Sequence, residues 1–285
     1  MKNYLNLFNK KIKRTRKQLK RHYRIEKELA DRLRHSDRNQ RKELYKTLYD
    51  ELFERVPDHP CWFHVTDPEY QKKLTTRKAK LVEPFISNKT NFLEIGAGNC
   101  SLSLFIAEKA KKVYALDVSK EMIKDINFPR NCEFVLSDGV NIPVPEESID
   151  VAYSYQVIEH LHPEDVFIQL KNIYSALAPH GVYICVTPNR LLGPHDISKY
   201  FSNTAEGFHL KEYTATELKG LFKKAGFSKI FGYIGGRGFY LRFPLVIIEL
   251  IESILRMMPC WFRNKISSFL LVKAFLGAII AGRKN

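Results

Sequence analysis

Short apolar runs alternate with amphipathic stretches through the middle of the chain. The runs have the length and flanking turn residues of buried strands, and the stretches between them repeat their apolar positions every three to four residues, as helices do. The pattern predicts strands at residues 92–95, 113–116, 133–136, 149–154, 182–186 and 229–234, and helices at residues 101–111, 120–126, 163–178 and 215–225. Such alternation indicates an α/β fold, in which helices cover both faces of a parallel sheet.

Further segments flank this pattern on both sides. Before it, residues 36–55 are predicted to form a helix capped by Ser36, and residues 68–85 another helix that leads into the domain. After it, apolar stretches at residues 245–258 and 266–281 are interrupted by polar residues, so neither reaches the roughly 20 apolar residues that cross a bilayer. We predict two amphipathic helices, which could pack against the domain, meet a second copy in a homodimer, or lie on a membrane surface.

The chain therefore divides into four predicted regions. Residues 1–35 form a basic N-terminal arm, residues 36–85 a helical region, residues 86–239 the α/β domain, and residues 240–285 the amphipathic C-terminal helices. One full domain with appendages suits a length of 285 residues.

The positive charge is concentrated at one end of the chain. The net charge is +15, from 46 Lys+Arg against 31 Asp+Glu, and residues 1–24 hold ten of the basic residues and no acidic one. Such a segment is attracted to phosphate groups or to an anionic membrane, or is a solvated, partly helical tail. Together with the apolar C-terminal stretches, it predicts peripheral contact with an anionic membrane through residues 1–24 and 240–282.

Five cysteines are scattered through the chain without a Cys-x-x-Cys pair. This usage indicates free thiols in a reducing compartment, and it predicts neither a disulfide framework nor a metal site. Since no apolar run follows the basic N-terminal residues, we expect no signal peptide. The expected location is the cytoplasm, with any membrane contact on the inner face.

A glycine turn follows the first predicted strand, in the sequence EIGAGN at residues 94–99. Because glycine has no Cβ, backbone N–H groups there can approach a ligand closely. Asp117 ends the second predicted strand, 21 residues after Gly96 (117 − 96), where a carboxylate can accept both hydroxyls of a ribose. A tight turn and a helix cap are the alternative, structural roles of these residues.

The nucleoside expected at this turn carries no phosphate. A dinucleotide-binding turn has a third glycine where this chain has Ser101, and the Gly-Lys-Ser/Thr sequence that holds the phosphates of ATP or GTP is missing. A second acidic residue, Asp138, precedes Gly139 after the third predicted strand, where it can accept a hydrogen bond from an adenine amino group. Two carboxylates and a glycine turn suit S-adenosylmethionine, which joins an amino acid to a nucleoside.

Four segments resemble the successive motifs of class I S-adenosylmethionine-dependent methyltransferases. They are FLEIGAGNC, VYALDVS, LSDGVNIPVPEESIDVAYSYQVIEHL and LAPHGVYICVTPNR, in the right order and spacing across roughly residues 80–235. The resemblance implies a doubly wound, Rossmann-like, seven-stranded and mostly parallel sheet whose last strand is antiparallel, with helical N-terminal and C-terminal extensions.

Within that family, two segments are most similar to small-molecule enzymes such as the ubiquinone-pathway O-methyltransferases. These segments are VIEHLHPED and TPNR…GPHD…GFHLKEYT. The region that contains KTLYDELFERVPDHP, together with the C-terminal tail, looks more loosely like bacterial methyltransferases encoded near surface-polysaccharide enzymes, and it assigns no substrate.

The resemblance also implies roles for individual residues of the cofactor site. Glu94, Gly96 and Gly98 would shape the methionine pocket, with Asn99 closing the same turn, and Asp117 would hold the ribose. The other expected contacts are Val118 and Met122 on the adenine side, Asp138 and Gly139 at the adenine ring, and Gln156 beneath the methionine end.

Methyl transfer from a sulfonium is a direct displacement, so the protein mainly aligns the acceptor with the methyl carbon and excludes water. An oxygen acceptor must also lose a proton, which calls for a base within about 3 Å. His160 follows the fourth strand beside the methyl-donor end, so we predict it as the base; the alternative is a histidine that only starts a helix. Glu159 would orient it or, as the ubiquinone-pathway resemblance implies, hold a divalent ion.

The segment between the fifth strand and the next helix is expected to line the acceptor pocket. Asn189, His195 and His209 are its candidate substrate-binding residues, although capping and turn roles would explain them equally well. The predicted acceptor is a small molecule, free or linked to a glycan or lipid, that is methylated on oxygen.

Other functions stay open at this point. A nucleic-acid methyltransferase would use the +15 charge, but its amino-methylating form has an Asn/Asp-Pro-Pro-aromatic run where this chain has SYQV at residues 154–157. The carbon-methylating form has a Pro-Cys nucleophile that this chain lacks, so we do not expect a nucleic-acid partner. A non-catalytic S-adenosylmethionine-binding protein and a nicotinamide-dependent oxidoreductase are the remaining alternatives.

Overall fold

The computed structural model describes residues 14–61, 67–259, 263, 266 and 269–285. Within these residues, eight strands form one sheet in the order β3-β2-β1-β4-β5-β8-β6-β7. The strands are β1 (Asn91–Ile95), β2 (Lys112–Asp117), β3 (Cys132–Leu136), β4 (Ile149–Tyr155), β5 (Leu177–Thr187), β6 (Lys229–Gly236), β7 (Phe239–Phe243) and β8 (Ala278–Arg283). The helices are α1 (Arg16–Arg34), α2 (Arg38–Arg55), α3 (Pro68–Val82), α4 (Ser101–Ala107), α5 (Pro163–Ala176), α6 (Ala215–Ala225), α7 (Leu245–Met257) and α8 (Leu270–Leu276).

The sheet is mostly parallel, which confirms the predicted doubly wound α/β fold. Strands β1 to β5 are parallel to their neighbours among themselves, and β8 runs antiparallel between β5 and β6. The described sheet has one strand more than predicted, because the chain turns back through Gly238 (φ +92°) after β6. It then pairs again with β6 as the antiparallel edge strand β7.

Strand β8 corrects the prediction for the end of the chain. We expected an amphipathic helix at residues 266–281, but α8 ends at Leu276 and the strand Ala278–Arg283 follows it. A short run that is apolar and buried on both faces is typical of an interior strand, and helical periodicity cannot distinguish the two. The sheet therefore extends beyond the expected domain boundary at residue 239.

Helix α1 corrects the predicted basic arm. Thr15 begins this helix with a capping box, in which it accepts a hydrogen bond from the Gln18 N–H. Ile25, Leu29 and Leu33, each four residues apart, are buried against the domain. The arm predicted over residues 1–35 is thus wrong for α1, whose basic residues occupy the other face of a packed helix; residues 1–13 lie outside the described residues.

Two shorter predictions also differ from the structure. Helix α2 is capped by Asp37, whose carboxylate accepts hydrogen bonds from two backbone N–H groups, whereas the Ser36 hydroxyl donates to the Leu33 carbonyl. The helix expected at residues 120–126 is a single 3-10 turn, Glu121–Ile123.

Apolar clusters cover both faces of the sheet, because consecutive strand residues point to opposite sides. On β1, Leu93 belongs to the cluster that contains Leu29 of α1 and Leu48 of α2. Its neighbour Phe92 belongs to a second cluster with Leu102 of α4. None of the described helices is long and apolar enough to cross a bilayer.

Candidate active site

A cavity of about 380 Å³ opens at the carboxyl ends of β1, β2 and β4, beneath α2. This edge of a doubly wound sheet is where ligands bind. Among the residues that line it are Tyr49, Phe53, Gly96, Gly98, Asp117, Val118, Gly139, Gln156, His160 and Phe208. The cavity thus brings most of the predicted cofactor residues together with the predicted base.

The glycine turn packs against the segment that follows β4. Gly96 has φ +72°, and a Cβ at this position would collide with Val157 Cγ2. Gly98 also has a left-handed backbone, φ +53°, but a Cβ there would meet no protein atom within 4 Å. Gly96 is therefore required by packing, whereas Gly98 leaves space on the cavity side.

Asp117 is held in place by the backbone. Its carboxylate accepts hydrogen bonds from the N–H groups of Gly98 at 2.8 Å, Val118 at 2.7 Å and Ser119 at 3.1 Å. Burial raises the pKa of this carboxyl, although the three hydrogen bonds oppose the shift. Each carboxylate oxygen has more than one acceptor direction, so the group can still accept from a ligand hydroxyl.

Three predicted cofactor residues have protein partners and are not among the described residues that line the cavity. Glu94 accepts hydrogen bonds from the Ser103 backbone N–H at 3.0 Å and the Ser103 hydroxyl at 2.7 Å. Asn99 donates to the Gln71 side-chain oxygen at 3.0 Å, and Asp138 accepts from two backbone N–H groups of its own turn. The side chain of Met122, a fourth predicted contact, lies outside the described part of the structure.

His160 lies at the wall between the cofactor residues and α2. Its Nδ1 lies 3.0 Å from the Phe208 carbonyl oxygen and 2.9 Å from the Tyr49 hydroxyl. Burial lowers the pKa of His160 to about 3, so the imidazole is neutral. Gln156, four residues earlier, has a left-handed backbone (φ +57°), a strained conformation that places this turn beneath the cavity.

Glu159, His160 and His209 offer one ligand atom each, all within 4.8 Å of one another. The Glu159 Oε2 accepts a hydrogen bond from the Thr187 hydroxyl at 2.8 Å, but its buried Oε1 has no hydrogen-bond partner among the described residues. Burial raises the pKa of Glu159 to about 7. On the far side, His209 Nδ1 lies 2.7 Å from Glu212 Oε1.

This trio fits a divalent cation. Two imidazoles and a carboxylate are a donor set that zinc and iron accept, and an orphaned buried carboxylate oxygen needs a partner. Glu212 would orient the ring of His209, as second carboxylates do for metal-bound histidines. These residues are not arranged in a zinc-type motif, so the sequence alone indicated only that Glu159 could hold a divalent ion and predicted no complete ligand set.

None of the three candidate acceptor residues, Asn189, His195 and His209, is among the described residues that line the cavity. His195 donates its backbone N–H to Glu212, and its Nε2 lies 3.1 Å from the Asn189 carbonyl oxygen. The Asn189 side chain donates to buried Glu252 at 2.8 Å. Both residues therefore brace the loop that carries His209, while their role toward a substrate stays a prediction.

The aromatic wall of the cavity was not predicted from the sequence. This wall is lined by Tyr49 and Phe53 of α2 and by Phe208, which lies in the segment between β5 and α6. The Tyr49 and Phe208 rings lie 5.1 Å apart. The apolar positions of α2 were visible in the sequence, but a helix that packs on a domain and one that lines a pocket have the same spacing.

A second cluster, formed by His22, Glu26 and His59, also has ligand atoms within 4.8 Å of one another. Here His22 Nδ1 lies 2.8 Å from Arg14 Nη1, which can only donate, so the neutral ring carries its proton on Nε2 and donates to Glu26 at 2.6 Å. That proton and the guanidinium charge oppose a cation. The Glu26 carboxylate also accepts from the Phe208 backbone N–H at 3.0 Å, so the cluster ties α1 to the wall of the active site.

This sheet order, with a glycine turn after β1, an acidic residue ending β2 and an apolar cavity above both, defines the class of S-adenosylmethionine-dependent methyltransferases. A family model described as a methyltransferase domain matches residues 38–230. The chain belongs to this methyltransferase family, and its cofactor is S-adenosylmethionine.

Individual relatives agree with this assignment. A probable S-adenosylmethionine-dependent methyltransferase of Mycolicibacterium smegmatis is 31% identical over 138 residues, which are 48% of this chain and 51% of the relative. A ubiquinone/menaquinone biosynthesis C-methyltransferase of Rickettsia bellii is 24% identical over 125 residues, 38% of this chain and 48% of that protein. The chain thus spans about half the length of these curated relatives.

A solved structure shows the same fold. The S-adenosylmethionine-dependent methyltransferase of Thermotoga maritima, described as a possible histamine N-methyltransferase, superposes with a TM-score of 0.51 at 18% identity. The match covers 82% of this chain and 98% of that chain.

Proposed function

We propose that the cavity beneath α2 holds S-adenosylmethionine together with a small, largely apolar acceptor. The observation that supports this proposal is that the cofactor residues, His160 and the aromatic residues of α2 line one cavity. Methyl transfer by displacement needs the donor and the acceptor side by side in a water-poor space.

In this proposal the glycine turn and Asp117 bind the cofactor. Gly98 leaves room for the cofactor to approach the backbone, and Asp117 accepts a ribose hydroxyl with the remaining lone pair of Oδ2, since three backbone N–H groups occupy its other acceptor sites. Gly139 and Val118 line the same cavity on the side expected for adenine, and Gln156 lies at the methionine end. The acceptor then occupies the space beside Tyr49, Phe53 and Phe208.

His160 takes the proton of an acceptor hydroxyl. It is neutral and lines the cavity, and the Phe208 carbonyl and the Tyr49 hydroxyl fix its ring. Because burial lowers the pKa of His160 to about 3, the imidazole gains this proton only where a neighbouring charge stabilises its cationic form. A carboxylate at Glu159, in the same cluster, would supply that charge. The acceptor would be methylated on oxygen, although the Rickettsia relative is named for carbon methylation.

A divalent ion at Glu159, His160 and His209 is a second candidate arrangement, favoured by the orphaned Glu159 oxygen. Such an ion would supply Lewis acidity that lowers the pKa of the acceptor hydroxyl. Glu212 would then hold His209 in the orientation that ligation needs.

The proposal is tested with methyl-labelled S-adenosylmethionine and a pool of small metabolites. His160→Asn should lower label transfer at least about 100-fold, the usual contribution of a positioned base, and leave the cofactor Kd within about twofold. His162→Asn is the matched control, because His162 caps α5 and asparagine caps helices well. Equal losses of transfer and cofactor affinity in His160→Asn would contradict the role as base.

Chelation separates the two arrangements. If His160 acts alone, transfer is unchanged after dialysis against a chelator. If the trio holds an ion, transfer falls and zinc or ferrous iron restores it, and Glu159→Gln abolishes the restoration.

The membrane contact predicted from the sequence remains part of the proposal, and it concerns helix α7. Val246, Leu250, Ile254 and Met257 are exposed on this helix, with Met257 87% exposed. An exposed apolar stripe on an amphipathic helix suits the surface of an anionic membrane. Co-sedimentation with anionic vesicles, with and without residues 1–13, a deletion that leaves α1 intact, tests it; absence of binding by both forms would refute it.

A further inference from the structure

A further cavity of about 380 Å³ lies beyond the active site, between the segment after β5 and the end of α7. Of the described residues that line it, four are cationic: Arg190, Lys211, Arg256 and Arg263. Glu212 is the one carboxylate among those described lining residues. The methyltransferase activity assigns no role to this cavity.

The carboxylate in the wall is already occupied. Glu212 Oε1 accepts a hydrogen bond from the His195 backbone N–H at 2.7 Å and lies 2.7 Å from His209 Nδ1. Glu212 therefore interacts with His195 and His209 of the adjoining active site and does not pair with any of the four described cations.

Two of the cations have partners that keep them in place. Arg190 pairs with Glu217 at 3.1 Å, and half of its side chain remains exposed. Arg256 donates to the Thr214 hydroxyl at 2.9 Å and lies 4.0 Å from Glu252. These contacts hold both guanidinium groups at the cavity, each beside a carboxylate that offsets part of its charge.

The other two cations lack an acidic partner within the described part of the chain. Lys211 has its ammonium nitrogen 5.0 Å from the centre of the Tyr213 ring, and no described carboxylate pairs with it. The Nε of Arg263 is buried and has no hydrogen-bond partner among the described residues. A buried guanidinium N–H without an acceptor destabilises the folded protein. An anionic ligand with several oxygens would supply the missing acceptor and remove that cost.

We propose that this cavity binds a phosphate ester, with Lys211 and Arg263 as its principal contacts and Arg190 and Arg256 at its rim. A guanidinium group can donate two parallel hydrogen bonds to two oxygens of a phosphate, and a lysine adds a compact positive charge. The volume exceeds that of a single phosphate group, so it suits a diphosphate or a phosphate with an attached group.

The ester group can be carried by a soluble molecule or by a lipid. Met257 and Ile254, which flank Arg256 on α7, are exposed, so a lipid phosphate in the cavity would leave its chains against an apolar surface. Both sources share the same phosphate chemistry, and the binding experiment distinguishes them. The proposal does not depend on the acceptor or on the role of His160.

The test measures binding of two probes to the full chain. Inorganic pyrophosphate is titrated by calorimetry, and vesicles of phosphatidylglycerol are compared with vesicles of phosphatidylcholine by co-sedimentation. Lys211→Gln removes one charge at a half-buried side chain, and Lys171→Gln removes one from the exposed face of α5 as the matched control. Arg263→Gln is the second variant, and thermal melting verifies that each variant is folded.

We expect Lys211→Gln and Arg263→Gln each to raise the Kd at least tenfold, because hydrogen bonds to charged groups are strong, and Lys171→Gln to leave it unchanged. Loss confined to pyrophosphate identifies a soluble phosphate, and loss confined to phosphatidylglycerol vesicles identifies a lipid. Binding of neither probe by the wild type, or equal binding by Lys211→Gln and Lys171→Gln, would overturn the proposal.

Discussion

The two glycines after β1 have different tasks, although both have a left-handed backbone. A Cβ at Gly96 would collide with Val157, whereas one at Gly98 would meet no protein atom within 4 Å. Gly96→Ala should therefore lower the free energy of unfolding by about 1–3 kcal/mol through strain and overpacking. Gly98→Ala should cost about 1–2 kcal/mol in stability, because alanine disfavours the left-handed backbone, and should weaken S-adenosylmethionine binding at least tenfold if the added methyl group occupies the proposed cofactor space.

Urea unfolding and calorimetric titration of both variants check this pair. If Gly98→Ala bound the cofactor like the wild type, the cofactor would not approach this turn. A larger loss of stability in Gly98→Ala than in Gly96→Ala would contradict the packing at Val157.

Buried His59 should make the stability of the protein depend on pH. Burial lowers its pKa to about 4; His22 and Arg14 add to the shift, and Glu26 and Asp58 oppose it. The unfolded chain takes up a proton near the ordinary histidine pKa of about 6.5, whereas the folded one does so only near 4. The contribution of neutral His59 to the free energy of unfolding is therefore fully present above pH 6.5. It is lost as the pH falls toward 4, by up to about 3 kcal/mol.

Urea unfolding between pH 4 and pH 7.5 measures this slope. His59→Gln should flatten it relative to the wild type, while His180→Asn, at an exposed position with φ +66°, should not. The same slope in His59→Gln and the wild type would show that His59 is not buried in its neutral form.

Helix α2 is attached to the domain by a buried ion pair with α5. Arg41 donates to both oxygens of Asp165, at 2.6 and 3.0 Å, and the Tyr45 hydroxyl donates to the same carboxylate at 2.9 Å. Because α2 also carries Tyr49 and Phe53, this attachment positions one wall of the active site.

Arg41→Ala should therefore lower the free energy of unfolding by about 3–5 kcal/mol, since it leaves a buried carboxylate without its cation. The exposed pair between Lys46 and Glu43 on the same helix provides the control: Lys46→Ala should cost about 1 kcal/mol or less. Chemical denaturation compares the two, and similar losses would mean that the Arg41 pair is solvated.

Elements whose signal is local were predictable from the sequence. The helix at α2, the glycine turn after β1 and the carboxylate at the end of β2 follow from periodicity and turn chemistry. Strand β8 was not predictable, because its place between β5 and β6 is a tertiary pairing with residues about 50 and 100 positions away. Helix α1 was missed because its buried apolar residues, Ile25, Leu29, Ala30 and Leu33, are outnumbered by basic residues on its other face.

The site followed the same rule. Backbone-determined positions such as Gly96 and Asp117 could be placed from spacing, but the meeting of Glu159 with His209, and the aromatic wall from α2, depend on contacts between distant segments. No local pattern specifies such contacts.

At the scale of the whole molecule, the basic residues and the candidate active site lie in different places. The candidate active site offers a carboxylate and an apolar wall, which suit a cationic cofactor, while basic residues lie on α1 and around the cavity at the end of α7. The net charge of +15 thus favours anionic partners at these basic surfaces and does not identify the reaction.

The central claim is that S-adenosylmethionine binds at the carboxyl ends of β1, β2 and β4 with Asp117 at its ribose. Calorimetric titration of the cofactor into the wild type, Asp117→Ala and Asp117→Asn tests it most directly, with melting curves of the unliganded variants as the check on folding. We predict saturable binding by the wild type and a Kd at least tenfold higher in both folded variants, because a ribose hydroxyl loses its charged acceptor. Cofactor binding of unchanged affinity in either folded variant would contradict it.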